Sequence, residues 1–305
     1  MSRSVVRVAL GSGLLLAGAC TLIVPAELGQ CSTDGDCTSK GPAWAGSTCY
    51  QGACVAGSKS DTGTAVDTSA DTSETVPAGP WGCVGSISWP LDTTGEKRTT
   101  RNRIVDISEK PVKGVVFVAC GKLDPECTKP ITAEVTTDTD GIFALTVPRG
   151  FDGYFKATPP APLMPAIIVS PPLYDDQDSV KAGGEPLHAL SKTDIDALLA
   201  LVGGSVDDTA GHLLSQSLDC EGKTAAGVSL SPSLKGPNTK GYYYEGGLPN
   251  TDALATDATG LGGFVNVPPG NVTLTGRNAL GQLYAKRTVI VKAKTVTYLT
   301  SAPSP

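Results

Sequence analysis

A short phrase occurs twice in this chain, and it constrains the fold more than any other feature. Thr137-Asp138-Thr139-Asp140-Gly141 is followed by Val147-Pro148-Arg149-Gly150, and Thr256-Asp257-Ala258-Thr259-Gly260 is followed by Val267-Pro268-Pro269-Gly270. Each phrase reads as strand, tight turn, strand and Pro-Gly corner. Asp and Gly satisfy turn geometry, and Pro-x-Gly cannot continue a ladder. An internal repeat of this kind predicts two copies of one small β domain. It names neither a ligand nor a reaction.

Composition agrees with an all-β chain. There are 36 Gly and 23 Pro in 305 residues, and long helices do not survive such frequent breakers. The formal net charge of −6 leaves no basic footprint for nucleic acid, which is excluded as a partner.

The N-terminus sets the compartment. Arg3 and Arg7 precede a short apolar core, Val8 to Leu16, and Ala17-Gly18-Ala19 lead into Cys20. The apolar stretch is too short to span a bilayer, so residues 1–19 read as a signal peptide. The small-small-Cys ending resembles a bacterial lipobox, with Ala17 where that motif usually has Leu. The resemblance implies lipidation of Cys20 and a membrane partner reached through that lipid. With Thr21 following, it implies the outer membrane of a Gram-negative cell. Ordinary cleavage after Ala19 or Ala26 is the alternative.

Nine cysteines are present. If Cys20 takes lipid, Cys31, Cys37, Cys49, Cys54, Cys83, Cys120, Cys127 and Cys220 remain, an even set suited to disulfides in an oxidising compartment. Four of them, spaced C-x5-C-x11-C-x4-C, fall in residues 20–56, a segment too small to bury a core without disulfides. A zinc site is the rival, but the x5 pair and the export signal argue against it. Among the later cysteines, Cys120 and Cys127 are placed to staple a loop. Cys83 and Cys220 are then left to tie one half to the other, though sequence alone leaves other pairings open. Residues 57–79 are polar, acidic and low in complexity, and read as a disordered linker.

The first β domain is expected over 80–186, with strands at Val84 to Trp89, Arg103 to Ile107, Gly114 to Ala119, Ile131 to Thr137, Ile142 to Val147, Tyr154 to Ala157 and Ala166 to Val169. Residues 187–204 carry the helix signal. Ser191 and Asp194 can form a capping box, Ile195, Leu198, Leu199 and Val202 make an apolar stripe, and Gly203-Gly204 end it. Such a helix is expected to plug one end of a sandwich. The second domain is expected over 205–301, with a long loop from Pro232 to Pro249 and a terminal hairpin of Val289 to Val291 with Val296 to Leu299.

A Gly-Val-x-Leu strand, Thr-Asp-x-x-Gly, a Phe or Leu strand and Pro-x-Gly together resemble the carboxypeptidase regulatory-like, or transthyretin-like, domain. About half the chain is covered by the resemblance, and its motifs are turns rather than catalytic residues. It implies two Greek-key β-sandwiches with a binding, spacing or structural role, as on bacterial surface lipoproteins. An accessory subunit of a secreted hydrolase is the alternative it allows.

Residues able to carry chemistry are few. His188 and His212 fit no metal or triad motif and read as surface or loop residues. Asp138-x-Asp140-Gly141 is similar to part of a calcium loop, but the distal Glu is missing and Thr259 replaces the second carboxylate in the other copy, so it reads as a turn. No metal, cofactor or catalytic residue is assigned, and the chain reads as a non-enzyme. Tyr242 and Tyr244 would share one face of a strand. They are the candidate surface for a protein or glycan ligand, or else they cover the sandwich edge.

Overall fold

The computed structural model describes residues 80–92 and 94–305, and within the N-terminal segment residues 33, 35, 38, 39, 47–50 and 53–56. Cys20, Cys31, Cys37, the signal peptide and the linker 57–79 lie outside the described residues. The chain divides into two units, Met1–Ser73 and Glu74–Pro305. In the first unit β1 (Ser47–Tyr50) and β2 (Ala53–Ala56) pair antiparallel, with Cys49 opposite Cys54.

The described residues of the second unit are all-β apart from one helix. Its first half comprises β3 (Lys97–Val105), β4 (Val116–Cys120), β5 (Val135–Thr136), β6 (Ile142–Pro148), β7 (Tyr154–Thr158), β8 (Ala166–Val169), β9 (Gln177–Asp178) and β10 (Leu187–His188). Strand β6 alternates buried and exposed residues, with Phe143, Leu145 and Val147 inward, as a half-buried strand should. β3 pairs with β6 and with the short parallel strands β9 and β10, while β4, β7 and β8 form the opposing layer with β5 at its edge. Phe117 of β4 stacks on Phe143 of β6 with ring centroids 3.9 Å apart. That contact, with Ile104, Val115, Leu145 and Ala157 around it, marks a sandwich core.

The second half repeats this plan. After α1 (Lys192–Leu201) come β11 (Gly211–Ser217), β12 (Ser229–Pro232), β13 (Lys240–Glu245), β14 (Leu248–Asn250), β15 (Leu261–Val267), β16 (Gly270–Arg277), β17 (Leu283–Val291) and β18 (Val296–Ser301). β11 pairs with β15 as β3 does with β6, and β12-β16-β17 matches β4-β7-β8. β18 runs parallel to β11, as β9 and β10 run parallel to β3.

The two halves are fused. β18 also pairs in parallel with β8, Val296 opposite Ala166 through Leu299 opposite Val169. The order β14-β13-β15-β11-β18-β8-β7-β4-β5 is therefore one sheet of nine strands. The second core continues across the joint, for Cys120, Tyr154, Ile167 and Val169 cluster with Leu213, Leu274, Val289 and Leu299.

The repeated phrase holds each half together at its turn. The buried Thr137 hydroxyl donates to Val112 O (2.8 Å) and accepts the Val115 N–H (2.9 Å). The buried Thr256 hydroxyl does the same with Ala225 O (2.7 Å) and the Val228 N–H (3.0 Å). Gly141 (φ 71°) and Gly260 (φ 68°) follow in the left-handed region. A Cβ on them would lie 2.3 Å from Ile104 O and 2.5 Å from Ser217 O, so glycine is required by both backbone angle and space.

Several local expectations are corrected. Residues 84–89 form turns and irregular chain rather than a strand. Pro80 to Asp92 act as a strap: Cys220 N–H donates to Pro80 O, Trp81 meets Tyr284 edge-on at 5.1 Å, and Tyr174 OH donates to Pro90 O. The expected loop after Pro232 contains the β13–β14 hairpin. The expected terminal hairpin does not form, because the chain between β17 and β18 crosses from one sheet to the other. Helix α1 starts with the expected box, the Asp194 N–H donating to Ser191 Oγ and the Ser191 N–H to Asp194 Oδ2. It lies on a face of the large sheet rather than plugging an end, with Ile195, Leu199 and Val202 against Tyr242, Val265 and Val296.

Candidate binding cleft

The structure removes Tyr242 as a ligand surface. Tyr242 is 2% exposed and Tyr244 half-buried, their rings 6.0 Å apart edge to face beneath α1. They do share one face, as alternation requires, but the helix covers it. Tyr243 points the other way into the sandwich, where its hydroxyl accepts the Leu230 N–H at 2.7 Å. Burial pushes the hydroxyls of all three upward in pKa, as expected for phenols withdrawn from water.

The histidines separate in role. His188 lies at the surface, 2.9 Å from the Glu109 carboxylate. His212, expected at the surface, is 1% exposed within β11, with Nδ1 facing the Asn266 N–H at 3.5 Å and Nε2 without a partner. Burial lowers its pKa to about 4. The Asp138 carboxylate accepts the N–H groups of Asp140 and Ile142, both at 2.9 Å. Asp257 accepts the N–H and hydroxyl of Thr259, which hold it below the usual carboxylate range. Both carboxylates are spent on their own turns.

Cys83 joins Cys220 and Cys120 joins Cys127. The second bond closes a loop braced from several sides. The Asp124 carboxylate accepts the N–H groups of Lys129 (2.7 Å) and Thr128 (3.0 Å), which lower its pKa. Tyr154 OH donates to Asp124 O (2.7 Å), and Glu126 pairs with Lys292 (2.8 Å). Leu123, at the loop's tip, is 95% exposed.

Beside this loop opens a cleft of about 150 Å³ at the seam of the two halves. Lys122, Leu123 and Asp152 of the first half and Asn271, Arg287 and Thr288 of the second line it. Arg287 is 7% exposed; its Nη2 stands 2.9 Å from Asp152 Oδ1 and donates to Ser170 O at 3.1 Å. Lys122 Nζ donates to Asp152 Oδ2 at 2.9 Å, and Trp89 of the strap covers the guanidinium at 4.9 Å. A buried arginine needs such compensation, from a carboxylate, a carbonyl and a π face. Asp152 Oδ1 and Arg287 Nη1 still take no hydrogen bond. No sequence motif marks this site, since its residues come from separate segments.

The unit is thus a tandem of two β-sandwiches sharing one sheet. Among the described residues no helix is long and apolar enough to cross a membrane. No family model matches the chain, and no curated protein matches it. It is similar to solved structures of β proteins. The Bacillus anthracis TIE protein is 13% identical over 68% of this chain (TM-score 0.22), which spans only 34% of that protein's length. BcpA, the major pilin subunit of Bacillus cereus, is 10% identical, with 68% of this chain and 100% of that one covered (TM-score 0.22). A family 26 carbohydrate-binding module of Eubacterium rectale Amy13K, solved with maltoheptaose, is 10% identical, with 68% and 94% covered (TM-score 0.23). Similarities this distant carry no argument about function.

Proposed function

We propose that this chain is a non-enzymatic, lipid-anchored surface protein that presents a tandem of transthyretin-like sandwiches to a protein or glycan partner. Residues 1–19 direct export, Cys20 takes the lipid at the outer membrane of a Gram-negative cell, and residues 20–56 form the disulfide-held head. The linker 57–79 lifts the tandem, with 80–186 and 205–301 as its sandwiches and 187–204 as the helical connector. The observation that carries this reading is the seam cleft. Its walls come from both halves, Lys122, Leu123 and Asp152 from one and Asn271, Arg287 and Thr288 from the other, so it exists only when both are fused. Two disulfides suit an oxidising, extracytoplasmic setting. His188 is engaged by Glu109 and His212 is enclosed, which favours binding over turnover.

Palmitate labelling and membrane fractionation test the anchor: wild type is labelled and membrane-bound, and Cys20→Ser is soluble. Unlabelled wild-type protein, or a membrane-bound Cys20→Ser variant, contradicts it. Cross-linking on intact cells tests the cleft. Partner capture is lost in the doubly substituted Lys122→Glu, Leu123→Asp variant, and undiminished capture sinks the assignment.

A further inference from the structure

The wall of the cleft formed by Thr288 is an open strand edge. β17 pairs only with β16, so its other side is a sheet edge. Ser304 N–H donates to Tyr284 O (2.9 Å), Lys286 N–H donates to Ser304 Oγ (3.1 Å), and the Thr297 hydroxyl donates to Ile290 O (2.8 Å). Residues 284, 286 and 290 therefore turn their backbone groups to this edge. By the alternation of an antiparallel ladder residue 288 must do so too. The Thr288 N–H and C=O take no hydrogen-bond partner among the described residues, and the residue is exposed. Thr288 lines the same cleft as Lys122, Leu123 and Asp152.

We infer that the cleft is a strand-addition site, taking a short extended peptide segment that carries an acidic side chain. Three observations on the molecule favour that occupant. The edge already takes one residue of the C-terminal segment, since Ser304 donates its N–H to Tyr284 O and accepts the Lys286 N–H on its hydroxyl. An added strand satisfies the idle N–H and C=O of Thr288, which a side-chain ligand would have to mimic. Two cations, Lys122 and Arg287, meet one carboxylate, Asp152. One positive charge is thus left over, in a chain whose net charge is −6. Leu123 and Ile290 add apolar lining. Edge strands of natural sheets are commonly shielded by cover, charge or proline; here the cover stops at residue 286 and resumes at 290. This inference rests on the reading of the cleft as a binding site, and it names the chemistry that site recognises.

The test uses the whole exported chain and a blocked peptide, acetyl-Thr-Val-Glu-Val-Thr-amide, followed by amide NMR. Two control peptides accompany it, one N-methylated at both valines and one with Lys in place of Glu. The expected result is a saturable shift of the Thr288 amide below about 1 mM peptide, at the weak end of the affinity scale. The N-methylated peptide should bind at least about tenfold more weakly, because main-chain bonds supply the affinity. Lys122→Glu, at an exposed position whose spectrum reports folding directly, should reverse the preference between the Glu and Lys peptides. Equal binding of the N-methylated peptide, or no saturable shift at Thr288, overturns strand addition. If the peptides fail while cell-surface capture still depends on Lys122 and Leu123, the cleft binds its partner by another mode and only this inference falls.

Discussion

Thr137 and Thr256 make the same pair of hydrogen bonds in the two halves, each hydroxyl bridging a carbonyl and an N–H of the segment that leads into β4 or β12. Both are buried. Replacing either by Val keeps the shape but leaves a buried donor and acceptor unpaired, at a cost of about 1–3 kcal/mol. Urea melts of Thr137→Val and Thr256→Val should show comparable losses. A negligible effect of either would deny the shared role.

Glycine at the same turns is demanded more strictly. Gly141→Ala and Gly260→Ala place a Cβ against a backbone carbonyl oxygen at a positive φ. Each should cost more than about 1 kcal/mol. Gly183→Ala is the control, having a positive φ but open space around it. It should cost less by thermal melting.

Cys83–Cys220 spans 137 residues and Cys120–Cys127 spans 7. Chain entropy alone then assigns about 5 kcal/mol to the first and about half that to the second. Paired Cys→Ala variants should rank in that order in denaturant. Loss of the first should also release Trp81 from Tyr284, read as a change in tryptophan fluorescence.

His212 supplies a pH dependence. Its pKa falls from 6.5 to about 4 on burial, so the unfolded chain binds the proton more readily. Its contribution is complete above about pH 6.5, declines as the pH drops, and is lost by about pH 4, a change of about 3 kcal/mol. Burial is the largest cause; Lys192 also opposes protonation and Asp196 favours it. The difference in stability between wild type and His212→Gln should narrow across that window. A constant difference from pH 7 to pH 4 would contradict the assignment.

What the sequence discloses is what local chemistry controls. The doubled Thr-Asp-x-x-Gly turn, the Ser191–Asp194 cap and the inward alternation of Phe143, Leu145 and Val147 are all set within a few residues. Partner choice is not. Lys292 to Thr295 has the polarity of a hairpin turn. Lys294 N–H instead donates to Ala210 O and the His212 N–H donates to Thr295 O, bonds that carry β18 to β11. Alternation correctly puts Tyr242 and Tyr244 on one face, but nothing near them says that α1 will cover it. The cleft is illegible for the same reason, because Asp152 and Arg287 come from different halves of the chain.

The pairing of β8 with β18 makes the two halves one continuous sheet. Native-state amide hydrogen exchange on the whole exported chain tests it most directly. Backbone amides of Ile167 to Val169 and Val296 to Leu299 that bond across the joint should exchange only through global unfolding, as slowly as the ladders β3–β6 and β11–β15. Rapid exchange along β8 and β18, with those two ladders still protected, would mean that the halves are separate sandwiches and that the seam cleft is not a fixed site.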